Sequence, residues 1–440
     1  MGFKKVMRIL ILIFAYFSLG IGVIFGLIVL TGGFAAISIT LDMILPQFAS
    51  IAFVNLIVML LIVRLKWGQQ KSLIIALVLG FLAFSLNILP FLGVNGAVRS
   101  ADAQFDAVFG TNWQNRIPSE LQAKFREVPF NLWDVYNGLP TAQCNVSYDI
   151  EYAFVNGNDS LRFDVYSPSA GNGPFPAIIA IHGGGWTSGN KGQGNLFQMN
   201  RYLASQGYVV FDIIYGLAES SLSNLLKSQK ILGRSYVNYN NSYTIPQMIE
   251  NIGNFTHYLA AHANDYKVNL TSVYVLGRSA GAHLAACVGL GYNNSPYSSV
   301  FNHSIRIRGC ILYYPPVNMT TMLENSIKIS RPYTKWVNIT ELFEYLMEYN
   351  ATNYDIYSPI SYVDANSPPV LILHGKNDKL VPTSESRNLK AKMDAVGRPC
   401  ILIEMPFMGH AFDIIPGNLY GQLAYYYVER FIAITSAVVV

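Results

Sequence analysis

Apolar residues fall into two regimes along this chain. From the N-terminus to Leu92 they form long, almost unbroken runs. Beyond about Val146 they form short runs separated by polar and glycine-rich stretches. Ile9–Leu30 is nearly pure hydrocarbon and follows Lys4, Lys5 and Arg8. About 20 such residues cross a bilayer, and further apolar runs follow, so we read a retained helix and not a cleaved signal. The second run, Phe34–Val63, is interrupted by Asp42, Pro46 and Gln47. An acidic residue at mid-membrane costs about 2.5–3.5 kcal/mol. The second span is therefore expected over 48–63, with Asp42 near the outer surface and 33–45 re-entrant or interfacial. Ser72–Leu92 is the third run, with Pro90 near its end.

The short runs downstream alternate with helix-like segments, which predicts a mostly parallel sheet with helices on both faces. Strands are expected near 148–155, 161–166, 176–182, 208–214, 272–277, 308–314, 369–374 and 400–405, the first two antiparallel to the others. Helices are expected near 194–206, 244–262, 280–290, 384–396 and 418–434. The division read from this pattern is a transmembrane region (1–95, spans about 9–30, 48–63 and 72–92), a juxtamembrane linker (96–146) and a catalytic domain (147–440). Short amphipathic helices are expected in the linker at 101–109 and 118–125. Two long inserts, 216–243 and 317–357, interrupt the domain. Loops of that length in a compact domain are usually functional or mobile. Their Leu225, Leu226, Leu232, Tyr236, Tyr239, Trp336, Leu342, Phe343, Tyr345, Leu346 and Tyr349 suit either an apolar cap or plain packing.

Composition sharpens this reading. Of 440 residues 52% are hydrophobic and only 13% charged, against about 25% charged in soluble domains; part of the chain is expected in lipid. The net charge of +4 and the lack of a basic stripe argue against a nucleic-acid partner. Basic residues flank the first span (Lys4, Lys5, Arg8) and fill the loop between the second and third (Arg64, Lys66, Lys71). By the positive-inside tendency the N-terminus is cytoplasmic and everything after the third span is extracytoplasmic or lumenal. Ten Asn-x-Ser/Thr triplets, at Asn145, 158, 240, 254, 269, 293, 302, 318, 338 and 350, all follow that span, as a glycosylated lumenal domain requires. An Asn-rich composition gives the same excess. Cys144, Cys287, Cys310 and Cys400 show no metal spacing and read as buried free thiols. No motif calls for a metal or cofactor.

Four stretches carry candidate chemistry. Gly277-Arg278-Ser279-Ala280-Gly281 lies between an apolar β-branched run and an alanine-rich run. It reads as strand, sharp turn and helix, which is the setting of a nucleophile elbow. His182-Gly183-Gly184-Gly185-Trp186 follows a fully apolar strand. Successive glycines are conformationally expensive and make sense where backbone N–H groups must approach a developing oxyanion. Asp378 follows the strand 369–374, and His410 follows the strand 400–405. A serine hydroxyl needs an adjacent base, and the base needs a third group to orient it. His182, His283 and His374 read as structural. Asp355 and Asp364 are rival acids placed before the strand at 369–374, not after it.

The order Ser279, Asp378, His410 with an HGGGW loop upstream resembles the α/β-hydrolase esterases. These include hormone-sensitive-lipase-like, feruloyl- or acetyl-esterase-like and prenylcysteine methylesterase-like enzymes. The resemblance runs from about Ser147 to the C-terminus. It implies an eight-stranded α/β-hydrolase fold, Ser279 as nucleophile, His410 as base and acid, and Asp378 as orienting carboxylate. It also implies an oxyanion hole from Gly183, Gly184 and Ala280, an acyl-enzyme intermediate, and no cofactor or metal. The expected substrate is a small or lipophilic ester met beside the lipid bilayer. Prenylcysteine methylesterase, formamidase and peptidase activities stay open on the same machinery, as does a binding module without catalysis. One departure stands out: relatives often carry Tyr-Arg-Leu where this chain has Tyr215-Gly216-Leu217.

Overall fold

The computed structural model describes residues 3–31, 41, 43–66, 70–157, 159–192, 194–219, 242–330 and 339–437. Asp42, Trp336, most of the insert 216–243 and the sequons at 158, 240 and 338 lie outside them.

The apolar N-terminal runs form α1 (Phe3–Thr31), α2 (Ile51–Lys66) and α3 (Gln70–Asn87). A break at Ile88 leads into α4 (Leu89–Phe109), whose first turn holds Pro90, a position where the missing N–H is no loss. Two helical stretches are long and apolar enough to cross a membrane, Phe3–Thr31 and the run 70–109. The helix over the expected second span is 16 residues long. These helices pack through small residues. A side chain at Gly26 would run into Leu86, and one at Gly80 into Met59.

Beyond residue 92 the chain continues as one helix to Phe109, which takes in the helix expected at 101–109, and its inner face (Val94, Ala97, Ala101, Phe105) is buried in the core of the downstream domain. Its Gln104 side chain donates to the Leu402 carbonyl at 2.7 Å and accepts from the Leu402 N–H at 2.9 Å, pairing the edge strand of the sheet as a neighbouring strand would. The 118–125 helix is a single turn, Ser119–Gln122.

The sheet contains β1 (Asn145–Val155), β2 (Asp159–Ser167), β3 (Phe175–Ile181), β4 (Val209–Ile213), β5 (Val268–Arg278), β6 (Ile307–Tyr313), β7 (Val370–Gly375) and β8 (Cys400–Met405). Their order is β1-β2-β4-β3-β5-β6-β7-β8. Only β2 runs against the rest: it is antiparallel to both β1 and β4, and all later pairs are parallel. The expectation that β1 and β2 both oppose the sheet therefore fails. The two are joined by a tight turn in which Asn156 and Gly157 have positive φ, and a hairpin reverses direction at each strand.

Alternate residues of each strand feed opposite layers, as the two-residue period of a strand demands. Ile179, Val275, Leu312 and Ile372 point to one core, with α6 (Ile245–Ala261), α7 (Ala280–Gly291) and α10 (Thr383–Ala395). Ile178, Leu276, Ile311 and Leu371 point to the other, with α4, α5 (Gly194–Gln206) and α11 (Leu419–Ala437). The second insert contributes α8 (Met319–Ser330) and α9 (Ile339–Leu346) above the C-terminal ends of the strands. The cysteines are free; Cys287, Cys310 and Cys400 are buried, whereas Cys144 is only half-buried.

Candidate active site

Ser279 stands between β5 and α7 with φ 54° and ψ −122°, a left-handed φ that costs a non-glycine residue roughly 1–3 kcal/mol. Close packing holds it there. A Cβ on Gly281 would lie 2.3 Å from the carbonyl oxygens of both Ile181 and His182, so only glycine lets α7 start this near β3. His283, one turn further on, donates its N–H to the Ser279 turn's carbonyl at 3.0 Å.

The two other candidate groups arrive on the loops after β7 and β8. His410 Nε2 is 3.0 Å from Ser279 Oγ, and His410 Nδ1 is 2.7 Å from Asp378 Oδ2. Asp378 Oδ1 also accepts the Leu380 and Val381 N–H groups, each at 2.9 Å. His374 Nε2 lies 3.2 Å from Asp378 Oδ2 and 2.9 Å from the Val381 carbonyl. Burial alone would raise the Asp378 pKa, but the two histidines and their hydrogen bonds hold it well below the usual carboxylate range. The rival Asp364 instead caps its own turn and binds Asn294.

The glycine loop passes directly over the serine. A side chain at Gly183 would meet the Arg278 carbonyl at 2.7 Å and Ser279 Cβ at 3.4 Å. Gly184 has φ 129°, with the Ser188 carbonyl filling the space of its missing side chain. Ala280 opens α7, where the first N–H groups of a helix have no intrahelical partner. The histidines around this loop are structural. His182 is buried, stacks on Tyr215 with ring centroids 4.5 Å apart, and has its pKa lowered to about 4 by burial. His283 accepts from Trp186 Nε1 at 3.2 Å and donates to the Tyr357 carbonyl at 2.7 Å, and burial lowers its pKa to about 4 as well. It thereby ties the glycine loop to α7.

Sequence reasoning missed a second set of contacts. Arg278 donates to Asp413 Oδ2 at 2.7 Å, and Tyr314 donates to Asp413 Oδ1 at 2.8 Å. Asp413 sits three residues after His410, so this buried pair fastens the serine turn to the histidine loop. The Tyr314 ring lies 4.5 Å from the His410 ring. The charged residue inside the serine motif was the available signal; its partner, 135 residues away, was not. At the Tyr-Arg-Leu departure, a side chain on Gly216 would fall 2.2 Å from the ring of Tyr243, which fills that space and donates to Asp159 at 2.7 Å.

Ser279 lies at the foot of a cleft of about 590 Å³ with mostly apolar walls, among them Met322, Leu342, Phe343, Leu380 and Ile414. Of the second insert, Leu342 and Phe343 line it, Leu346 is packed in the core, and Tyr349 is exposed. Among the described residues no cluster of three or more His, Cys, Asp or Glu side chains is placed to hold a metal ion.

The sheet order and the placement of serine, acid and histidine after β5, β7 and β8 define the α/β-hydrolase class. Within it the chain belongs to the BD-FAE family, whose profile matches residues 163–225 and 223–393. It is similar to a probable carboxylic ester hydrolase, LipM, of Mycobacterium tuberculosis, 23% identical over 80% of this chain and 77% of that protein. It is also similar to a probable isoprenylcysteine alpha-carbonyl methylesterase, ICMEL1, of Arabidopsis thaliana, 23% identical over 54% of this chain and 45% of that one. Among solved structures it is similar to a propionate-bound thermophilic esterase of Thermogutta terrifontis, with TM-score 0.48, 22% identity and coverage of 66% of this chain and 93% of that one.

Proposed function

We propose that this protein is a membrane-anchored serine hydrolase that cleaves carboxylic esters through an acyl-enzyme. The observation that carries the reading is the unbroken line Ser279 Oγ–His410 Nε2, His410 Nδ1–Asp378 Oδ2, at 3.0 and 2.7 Å, at the foot of an apolar cleft. Ser279 Oγ attacks the ester carbonyl carbon while His410 Nε2 takes its proton. The tetrahedral oxyanion is held by the N–H groups of Gly183, Gly184 and Ala280, one such donor being worth about 10²–10³ in rate. The intermediate collapses, and His410 returns the proton to the departing alkoxide. Water, deprotonated by His410, then attacks the acyl carbon and releases the acid and free Ser279. Asp378 stays ionised throughout and stabilises the imidazolium.

The membrane part of the proposal rests on α1 and the run 70–109, each long and apolar enough to span, with the 16-residue apolar α2 taken as a third crossing between them. With basic residues at Lys4, Lys5, Arg8, Arg64 and Lys71, we place the N-terminus in the cytoplasm and the catalytic domain outside or in a lumen. Exposed sequons at Asn145 and Asn350 are then open to glycosylation. The apolar walls favour a lipophilic ester, and the similarity to proteins named as methylesterases keeps a prenylcysteine methyl ester as an alternative substrate.

The test is hydrolysis of p-nitrophenyl acetate, butyrate and octanoate by the detergent-solubilised chain beside Ser279→Ala. We expect turnover rising with chain length and abolished in the variant. Turnover unchanged in Ser279→Ala contradicts the assignment.

A further inference from the structure

The loops that carry the acid and the histidine are both fastened to the membrane helices. Asn377, next to Asp378, donates to the Val29 carbonyl at 3.1 Å. That carbonyl is in the last turn of α1 and has no partner within its helix. Gln47, which looked like a mere interruption of an apolar run, is 5% exposed. It donates to the Ala411 carbonyl at 3.1 Å and accepts from Ile415 N–H at 2.9 Å and Asn418 Nδ2 at 3.0 Å. The loop just after His410 is therefore held by the turn Leu45–Phe48.

These contacts set a depth. Arg8 donates to the Leu65 carbonyl at the far end of α2, marking the basic boundary of the bundle. At about 1.5 Å per residue, Ile9 to Ile28 covers roughly 30 Å, the hydrocarbon thickness of a bilayer. Val29, and Asn377 on it, then sit where hydrocarbon meets headgroups. Met43, from the segment between α1 and α2, lines the cleft together with Leu380 and Ile414 of the two fastened loops, which brings the cleft mouth to that level. Leu380 is 38% and Ile414 43% exposed, and Ile44 and Phe48, flanking Gln47, are exposed too. An exposed apolar rim at a bilayer surface needs no other cover than lipid.

We infer that the cleft opens into the bilayer leaflet on which the catalytic domain sits, and that its substrate is a lipid ester resident in that leaflet, entering past Met43, Leu380 and Ile414. The inference rests on the esterase reading above and adds the route and the physical state of the substrate. A short water-soluble ester gains little from that apolar rim, so it serves as the control for the route.

The experiment uses the full chain in phosphatidylcholine vesicles with two probes, 4-methylumbelliferyl oleate in the vesicle and p-nitrophenyl acetate in the buffer. Leu380→Gln/Ile414→Gln should lower the ratio of oleate to acetate turnover by about tenfold or more, since both changes remove apolar surface from the path. An unchanged ratio overturns the inference, as does wild-type turnover of acetate with none of vesicle-borne oleate. Absence of turnover on both probes by the wild type is instead a failure of the esterase reading, and it takes the substrate claim with it. Placement is tested separately with Leu380→Trp. Its added emission should be quenched by a lipid spin-labelled high on its acyl chain; no quenching puts the mouth in water and overturns the route.

Discussion

Asp378 is held by four groups: two backbone N–H groups, His410 and His374. Its charge therefore survives in a fully buried place, and the role proposed for it depends on that charge orienting His410. Asp378→Asn keeps the shape but loses the charge and favours the wrong imidazole tautomer. We expect kcat on p-nitrophenyl butyrate to fall by about 10³–10⁴-fold with KM little altered. A second residue-scale prediction concerns the Arg278–Asp413 pair, 5% exposed on each side. Burial disfavours the Arg278 charge, but Asp413 and the tyrosines Tyr313 and Tyr314 keep it. Arg278→Met leaves Asp413 a buried charge without its counter-charge, held by Tyr314 and Asn195. It should cost about 3–5 kcal/mol of stability by denaturant unfolding, and some activity because the histidine loop loosens. The residues of the candidate triad were legible because each follows a short apolar strand and has a glycine within three residues. Arg278 was visible but Asp413 was not, since nothing local marks a carboxylate that pairs across the whole sheet.

At the scale of elements, the strands of the parallel sheet were legible because buried strands are short, continuous apolar runs. β1 was misdirected because alternation gives a strand's faces and not its sense. Both ends of α4 were legible, as the end of an apolar run and as a helix at 101–109, but their continuity was not. Pro90 signals a helix end, and Arg99, Asp102, Gln104 and Asp106 look like a polar linker. They belong to a helix whose Val94, Ala97, Ala101 and Phe105 recur at helical spacing and are buried, and Asp102 and Gln104 bond to Tyr427 and to the edge strand. α4 is the element that joins the N-terminal apolar helices to the edge of the sheet. Phe105→Ala removes a ring packed on Trp113 and Tyr427 and should cost about 3–5 kcal/mol. Limited proteolysis should then separate the bundle from the domain faster than in the wild type. An unchanged cleavage rate would mean that α4 is not the joint.

For the whole molecule, two buried neutral histidines set an acid limit. His182 and His283 both titrate near 4 when folded, against about 6.5 in an unfolded chain. The unfolded state binds the extra protons, so the stability they leave intact above pH 6.5 is lost as pH falls from there toward 4. Each is worth roughly 3 kcal/mol over that window. The unfolding midpoint in detergent should drop steeply between pH 6.5 and 4, and His283→Gln, which keeps a donor for the Tyr357 carbonyl, should flatten that slope. A midpoint independent of pH down to 4 would rule this out. The same whole-molecule view joins the regimes seen in the sequence. The N-terminal apolar region is more than an appendage, because Val29 at the end of α1 and Gln47 in the turn Leu45–Phe48 bond to the loops that present Asp378 and His410. Gln47 read as a flaw in an apolar run because its partners lie at the opposite end of the chain.

The proposed function requires Ser279 to be an activated nucleophile. The most direct measurement is reaction of the purified full-length chain with a fluorophosphonate probe, followed by mass mapping of the adduct. We predict a single adduct on Ser279, absent in Ser279→Ala and strongly slowed in His410→Ala. A wild-type chain that is folded yet unlabelled at Ser279, or one labelled equally in both variants, would contradict it.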